Sequence, residues 1–193
     1  MSEGYADLHL HTTASDGTQE ISQLVKRAIA YGLSTIAITD HDTISKELTE
    51  RVIKINGLEV ITGVEIKVDF DGIRGELLGY FVDPACSSMH EIFLFMKHSR
   101  EERMEEMVKR CRDKLGLDIK IDEVRAIASG SIGRPHLAKL LVKRGAVSML
   151  KESFNRFLAQ GRPCYIPLKR PGFRDAARAV HAAGGVTSIP HPC

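Results

Sequence analysis

The spacing of hydrophobic and polar positions changes period several times along the chain. Tyr5–His11 (YADLHLH) alternates, so Leu8 and Leu10 face one way while Asp7, His9 and His11 face the other, as in a strand. Residues 20–31 turn to a helical period, with Ile21, Leu24, Val25, Ala28 and Ile29 on one face. Thr18 is placed to cap that helix and Gly32 to stop it. STIAITD (34–40) is apolar almost to its end, the texture of a strand buried on both faces. The pattern predicts a helix over roughly 44–55, stopped near Asn56-Gly57, and then a third strand through EVITGVEI. Strands alternating with helices are the signature of βα units around a parallel sheet or barrel.

From Val64 to Phe70 alternation returns and puts Glu65, Lys67 and Asp69 on one face. Asp71-Gly72 is a two-residue hairpin signal, which sets 70 opposite 73, 67 opposite 76 and 65 opposite 78. From about 86 to 160 the texture is helical and charged: a long segment MHEIFLFMKHSREERMEEMVKRCRDKLG, then RPHLAKLLVKRG and LKESFNRFLAQG. This stretch reads as a helical insertion lobe, and residues 1–85 with 161–193 as the α/β domain that carries it. Beyond it CYIP is expected as a short strand, FRDAARAVHAAGG as a helix ended by two glycines, and VTSIPHP as a last strand. The count is about five parallel strands and one antiparallel partner, too few to close a barrel. An open sheet and a sheet lacking its C-terminal strands both satisfy it.

Composition excludes more than it assigns. Of 193 residues 43% are hydrophobic and 27% charged, with a net charge of +2, too little to argue for nucleic acid or an anionic membrane. Cys86, Cys111, Cys164 and Cys193 form no CxxC pair and lie far apart in sequence. That argues against a disulfide framework or a cysteine zinc site and for a reducing cytosol. There is no signal-peptide architecture and no membrane-length apolar run, so a cytoplasmic protein is expected, with no membrane association and no stable protein partner evident.

The polar residues cluster at strand ends. His9 and His11, about 7 Å apart on one strand face, can reach one metal ion; hydrogen-bonded histidines at a partly exposed strand end fit the same pattern. TTASDG then offers Asp16, strand two delivers Asp40-His41-Asp42, strand three carries Glu65, and the last strand ends in His191. Strand C-terminal ends are where barrels and open α/β sheets build their sites. Mixed imidazole and carboxylate donors suit zinc, manganese or ferrous iron in a cluster of more than one ion. Glu76 falls on the Glu65 face as its diagonal neighbour; a ligand role and an ordinary charge pair with Lys67 are both open.

Taken in order, DLHLHTTASDG, ITDHDT, TGVEI, RPH and IPHP resemble the PHP family, named for polymerase and histidinol phosphatase, across essentially all 193 residues. The resemblance implies a distorted seven-stranded β/α barrel with two or three divalent ions (Mn2+, Zn2+ or Fe2+). It also implies hydrolysis of nucleotide 3′,5′-bisphosphates or short 5′-phosphorylated RNA by a metal-activated hydroxide. By motif, His9 and His11 would bind one ion, Glu65 would bridge to a second shared with His191, and Asp16 and His41 would hold a third. Arg134 and His136 of RPH would bind substrate phosphate, a role that a proline-opened helix N-terminus beside an arginine suits on physical grounds. Asp40 and Asp42 are candidates to protonate the leaving group or to orient a ligand histidine.

Two departures from the family pattern stand out. Glu76 replaces a histidine, which implies altered metal preference. The late strand that supplies an aspartate and a histidine to the family's cluster is not reached, which implies an incomplete form of a longer enzyme or ligands from a partner. Rival readings are a histidinol-phosphate phosphatase and a non-catalytic metal-binding module.

Overall fold

The computed structural model describes residues 4–128 and 131–191. The chain divides into two compact units, residues 1–96 with 170–193 and residues 97–169.

The first unit holds a six-stranded mixed sheet that does not close: β1 (Tyr5–Leu10), β2 (Leu33–Ile38), β3 (Val52–Ile55), β4 (Leu58–Phe70), β5 (Ile73–Tyr80) and β6 (Val186–Ser188), in the order β1-β2-β4-β5-β6 with β3 also on β4. A closed seven-stranded barrel is not what these strands form. The expected five parallel strands are also corrected: β1–β2 and β2–β4 are parallel pairs, while β3–β4, β4–β5 and β5–β6 are antiparallel. Two antiparallel steps bring β6 back to the direction of β4, so β1, β2, β4 and β6 all run the same way.

β4 is the spine of this unit. Its first half lies between β2 and β3, and its second half pairs with β5 from Gly63↔Tyr80 to Phe70↔Ile73. The Asp71-Gly72 turn has φ of 52° and 94°, and the register is the one that turn predicts, with Glu65 opposite Leu78 and Lys67 opposite Glu76. At the crossover Gly63 is required, because a Cβ there would stand 2.8 Å from the Gly79 carbonyl oxygen and 2.9 Å from Thr39 Cγ2.

The helix expected over 44–55 does not form. Residues 44–51 are irregular, and Val52–Ile55 is β3, joined to β4 by Asn56-Gly57 with both φ positive (52° and 87°). The dipeptide that reads as a helix stop is equally a hairpin turn, and the β-branched Val52, Ile53 and Ile55 before it favour the strand. Helix α1 (Ile21–Ala30) begins after Glu20 rather than after Thr18; Gln23 Oε1 accepts the Glu20 N–H at 2.9 Å.

Two apolar layers fix the sheet. Ile21, Val25 and Ala28 of α1 pack with Ile36, Ile38 and Val60. Val64, Ile66 and Val68 pack with Leu77, with Ala176, Ala179 and Val180 of the last helix (Phe173–Ala182) and with Met89 and Ile92. Each fully buried aliphatic side chain contributes about 1.5–3 kcal/mol. Because 64, 66 and 68 are committed to that layer, Glu65 and Lys67 must face the other side.

The second unit is helical: α2 (Ser87–Leu115), which begins in the first unit, α3 (Ile121–Ile127), α4 (Arg134–Lys143), and α5 (Leu150–Ser153) running into a π-helical turn at Phe154–Leu158; the Phe173–Ala182 helix is α6. Its core gathers Met104, Met107, Val108 and Cys111 with Val124, Leu137, Leu141, Leu158 and Cys164. Cys111 and Cys164, remote in sequence, meet there as free thiols, and contact with Cys164 together with burial pushes the Cys111 thiol up. CYIP (164–167) is not a strand. The Ile166 and Tyr165 carbonyls accept from Arg103 Nε and Arg110 Nη1, both at 2.8 Å, so side chains rather than a ladder satisfy this backbone.

Candidate metal centre

The C-terminal ends of three strands, β1, β2 and β6, converge on the middle of β4. The parallel β2–β4 pairing continues past Ile38↔Thr62 to a bridge between His41 and Glu65. Around it Glu65 N–H donates to the Asp40 carbonyl at 3.0 Å and Asp42 N–H to the Glu65 carbonyl at 2.9 Å. Glu65 is thus mid-strand in β4 yet level with the end of β2, and its side chain is 1% exposed.

Three imidazoles meet that carboxylate. His9 Nε2 and His11 Nε2 each lie 3.3 Å from Glu65 Oε2, and His41 Nδ1 lies 3.1 Å from the same oxygen. Glu65 Oε1 is buried without a hydrogen-bond partner among the described residues; His191 Nε2 stands 3.9 Å from it. His191 is itself exposed and adopts a left-handed backbone (φ 52°). Asp16 reaches in from the other side, Oδ1 at 3.7 Å from His11 Nδ1 and Oδ2 at 3.5 Å from His41 Nε2. Burial first, and the nearby His41 second, push the His11 imidazole below its usual range.

Together with Glu76 these residues line a cavity of about 380 Å³. Their donor atoms form three overlapping groups close enough to hold an ion: His9, Glu65 and His191; His11, Asp16 and His41; His41, Glu65 and Glu76. All seven residues named from the sequence as ligands are therefore brought together, although His11 groups with Asp16 and His41 while His9 groups with Glu65 and His191. The donor set fits divalent cations. A buried carboxylate with one unpartnered oxygen, faced by neutral-capable imidazoles, is costly without a cation and suited to one.

The two aspartates beside His41 have other surroundings. Asp40 is fully buried and accepts from Thr12 N–H at 2.7 Å, Thr12 Oγ1 at 2.6 Å and Ser15 Oγ at 2.5 Å. It pins the loop that carries His11 and Asp16. That loop is closed by Gly17, whose N–H donates to the Thr12 carbonyl at 3.0 Å and where a Cβ would lie 2.3 Å from the His11 carbonyl oxygen. Asp42, left-handed at φ 54°, accepts the Lys67 N–H at 2.9 Å. Neither aspartate is among the residues that line the cavity.

Lys67 is the residue the sequence reading did not assign to the site. Its Nζ lies 2.9 Å from His41 Nδ1 and 3.3 Å from Glu76 Oε1. Burial raises the Glu76 carboxyl, but Lys67 and then His41 outweigh it and hold it below its usual range. The advance signals were alternation, which put Lys67 on the Glu65 face, and the hairpin register, which set it opposite Glu76 as a possible charge partner.

Arg134 and His136 belong to the second unit, at the start of α4. His136 Nδ1 accepts the Gly133 N–H at 3.1 Å, and burial, with Lys139 second, lowers its pKa. Arg134 Nη1 donates to the Leu158 carbonyl at 3.3 Å, and its guanidinium lies 5.5 Å from the Phe154 ring centroid and 5.9 Å from that of Tyr165.

The family model for the PHP domain matches residues 7–158, and the chain belongs to the PHP family. It is 36% identical over 187 residues to the 5′-3′ exoribonuclease of Haemophilus influenzae, covering 96% of this chain and 68% of that protein. To the 3′,5′-nucleoside bisphosphate phosphatase of Chromobacterium violaceum it is 27% identical over 197 residues, covering 96% of this chain and 66% of that one. A crystal structure from Bifidobacterium adolescentis, provisionally described as a metal-dependent phosphoesterase, superposes with a TM-score of 0.74 at 30% identity, over 96% of this chain and 66% of that one. The chain thus spans about two thirds of the length of these relatives. They are named for the phosphoester chemistry that the sequence resemblance implied.

Proposed function

We propose that this chain is a metal-dependent phosphoesterase acting on nucleotide phosphate esters, either 3′,5′-bisphosphates or short 5′-phosphorylated oligoribonucleotides. The observation that carries the reading is the buried Glu65 carboxylate, one oxygen faced by three imidazoles and the other, 3.9 Å from His191, without a hydrogen-bond partner among the described residues. The names of the relatives support the substrate class.

In this reading His9, Glu65 and His191 hold one ion and His11, Asp16 and His41 a second, with Mn2+, Zn2+ or Fe2+ suited to the donors. Bound ions supply Lewis acidity, acidifying water and offsetting the negative charge of a phosphate. The chain's own residues do the rest. Glu65 links the groups, since its Oε2 faces His9, His11 and His41 alike. Asp40 holds His11 and Asp16 in place by tying Thr12 and Ser15. Arg134 and His136, at a proline-opened helix start in the second unit, are the residues this reading assigns to phosphate, the Arg134 guanidinium being the group that favours an anion.

The test is phosphate release from a nucleoside 3′,5′-bisphosphate, a 5′-phosphorylated oligoribonucleotide and histidinol phosphate, each with added Mn2+. Turnover of either nucleotide substrate above histidinol phosphate is expected. Preference for histidinol phosphate moves the chain to the other phosphatase reading, and no release from a metal-loaded protein makes it a binding module.

A further inference from the structure

The third candidate group, His41, Glu65 and Glu76, differs from the other two in a way that points to its occupant. Two of its members are shared, Glu65 with the His9–His191 group and His41 with the His11–Asp16 group, so only Glu76 belongs to it alone. A cation is already there. Lys67 Nζ lies 2.9 Å from His41 Nδ1 and 3.3 Å from Glu76 Oε1, placing an ammonium between two of the three donors.

That ammonium is held by construction on both strands. Lys67 pairs directly with Glu76 across β4 and β5, and its backbone N–H is fixed by the buried Asp42 carboxylate at 2.9 Å. Its side chain is only 20% exposed. We propose that Lys67 is a metal-specificity residue of this centre, its ammonium standing in for a divalent ion at the His41–Glu65–Glu76 group, so that the site loads two divalent ions rather than three.

Charge and geometry give the reason. A divalent ion bound by these donors would lie within a few ångströms of the ammonium in a partly buried site, where like charges are poorly screened. His41 Nδ1 and one Glu76 oxygen would also have to give up the contacts they make with Lys67. Of the other two groups, the second shares His41 but meets Asp16 through the opposite ring nitrogen, Nε2, and among the described residues no lysine contact falls on the first. The inference rests on the metal-centre reading above and gives the reason why the third donor group takes no ion.

The experiment is metal stoichiometry on the full chain, stripped with chelator, reloaded with Mn2+ and separately with Zn2+, desalted and measured by elemental analysis. Circular dichroism confirms that each variant is folded. Two ions per chain are expected for the wild type and three for Lys67→Met. Glu76→Gln is expected to stay at two, because Glu76 serves the lysine and not an ion. Three ions in the wild type, or Lys67→Met remaining at two, overturns the assignment of Lys67 while leaving the metal centre intact. Loss of one ion in Glu76→Gln overturns it as well, by making Glu76 a ligand. No bound ion in the folded wild type overturns the metal-centre reading itself, a result distinct from the others.

Discussion

His41 and Glu65 stand side by side where β2 leaves the sheet, His41 Nδ1 3.1 Å from Glu65 Oε2, with Asp40 and Asp42 on either side of His41 bonded to the Glu65 backbone. The backbone pairing places a buried carboxylate beside an imidazole before any ligand arrives. Glu65→Gln keeps the shape and removes the charge. It is expected to lower phosphoester hydrolysis by two or more orders of magnitude, about 2.7 kcal/mol of barrier or more, while the melting temperature of the metal-free protein holds or rises. Unchanged turnover would show that Glu65 has no part in the chemistry.

Asp40 makes a different prediction, on stability. Replacing it with Ala removes the acceptor of the buried Thr12 N–H and hydroxyl and of the half-buried Ser15 hydroxyl. A cost of about 2–4 kcal/mol in urea unfolding of the metal-free protein is expected. Metal affinity should fall with it, because the His11–Asp16 loop loses its tie. An undisturbed unfolding midpoint would contradict the anchoring role.

The reach of the sequence differs between these two sites. The β4–β5 hairpin was legible to the residue, because alternation and Asp71-Gly72 are local and agree. The seven residues named as ligand candidates line one cavity, Glu76 among them through the hairpin register that also pairs it with Lys67. Asn56-Gly57 was ambiguous because one dipeptide serves both a helix stop and a hairpin, and only pairing with β4 decides for the hairpin. CYIP misled because its carbonyls are taken by Arg103 and Arg110, more than 50 residues earlier in the chain. The burial of Asp40, the reach of Lys67 and the meeting of Cys111 with Cys164 depend on tertiary contacts that no local pattern carries.

A pH prediction follows from His11. Burial and His41 hold its folded pKa below the unfolded value of 6.5. Between the two values the unfolded chain binds more protons, so stability from this group is fully present above about pH 6.5 and is lost as pH falls through the folded pKa. Urea midpoints of the metal-free wild type are expected to drop from pH 7.5 to 5.5 by more than those of His11→Gln. Equal drops would remove His11 as the source.

Arg134 tests the phosphate contact. Arg134→Lys keeps the charge and loses the planar fork. KM is expected to rise about tenfold, equivalent to about 1.4 kcal/mol, with kcat within about twofold, the pattern of lost uniform binding. An unchanged KM would leave Arg134 with a structural role, its bond to the Leu158 carbonyl and its place beside Phe154 and Tyr165.

The central claim is that ions bind where Glu65 meets the histidines. Anomalous scattering from a crystal loaded with Mn2+ or Zn2+ tests it most directly. The predicted result is density within about 2.0–2.3 Å of donor atoms of Glu65 and of His9 or His191, with a second peak at His11, Asp16 and His41. A loaded, well-ordered crystal with no anomalous peak in this cavity, or with ions bound only elsewhere, would contradict it.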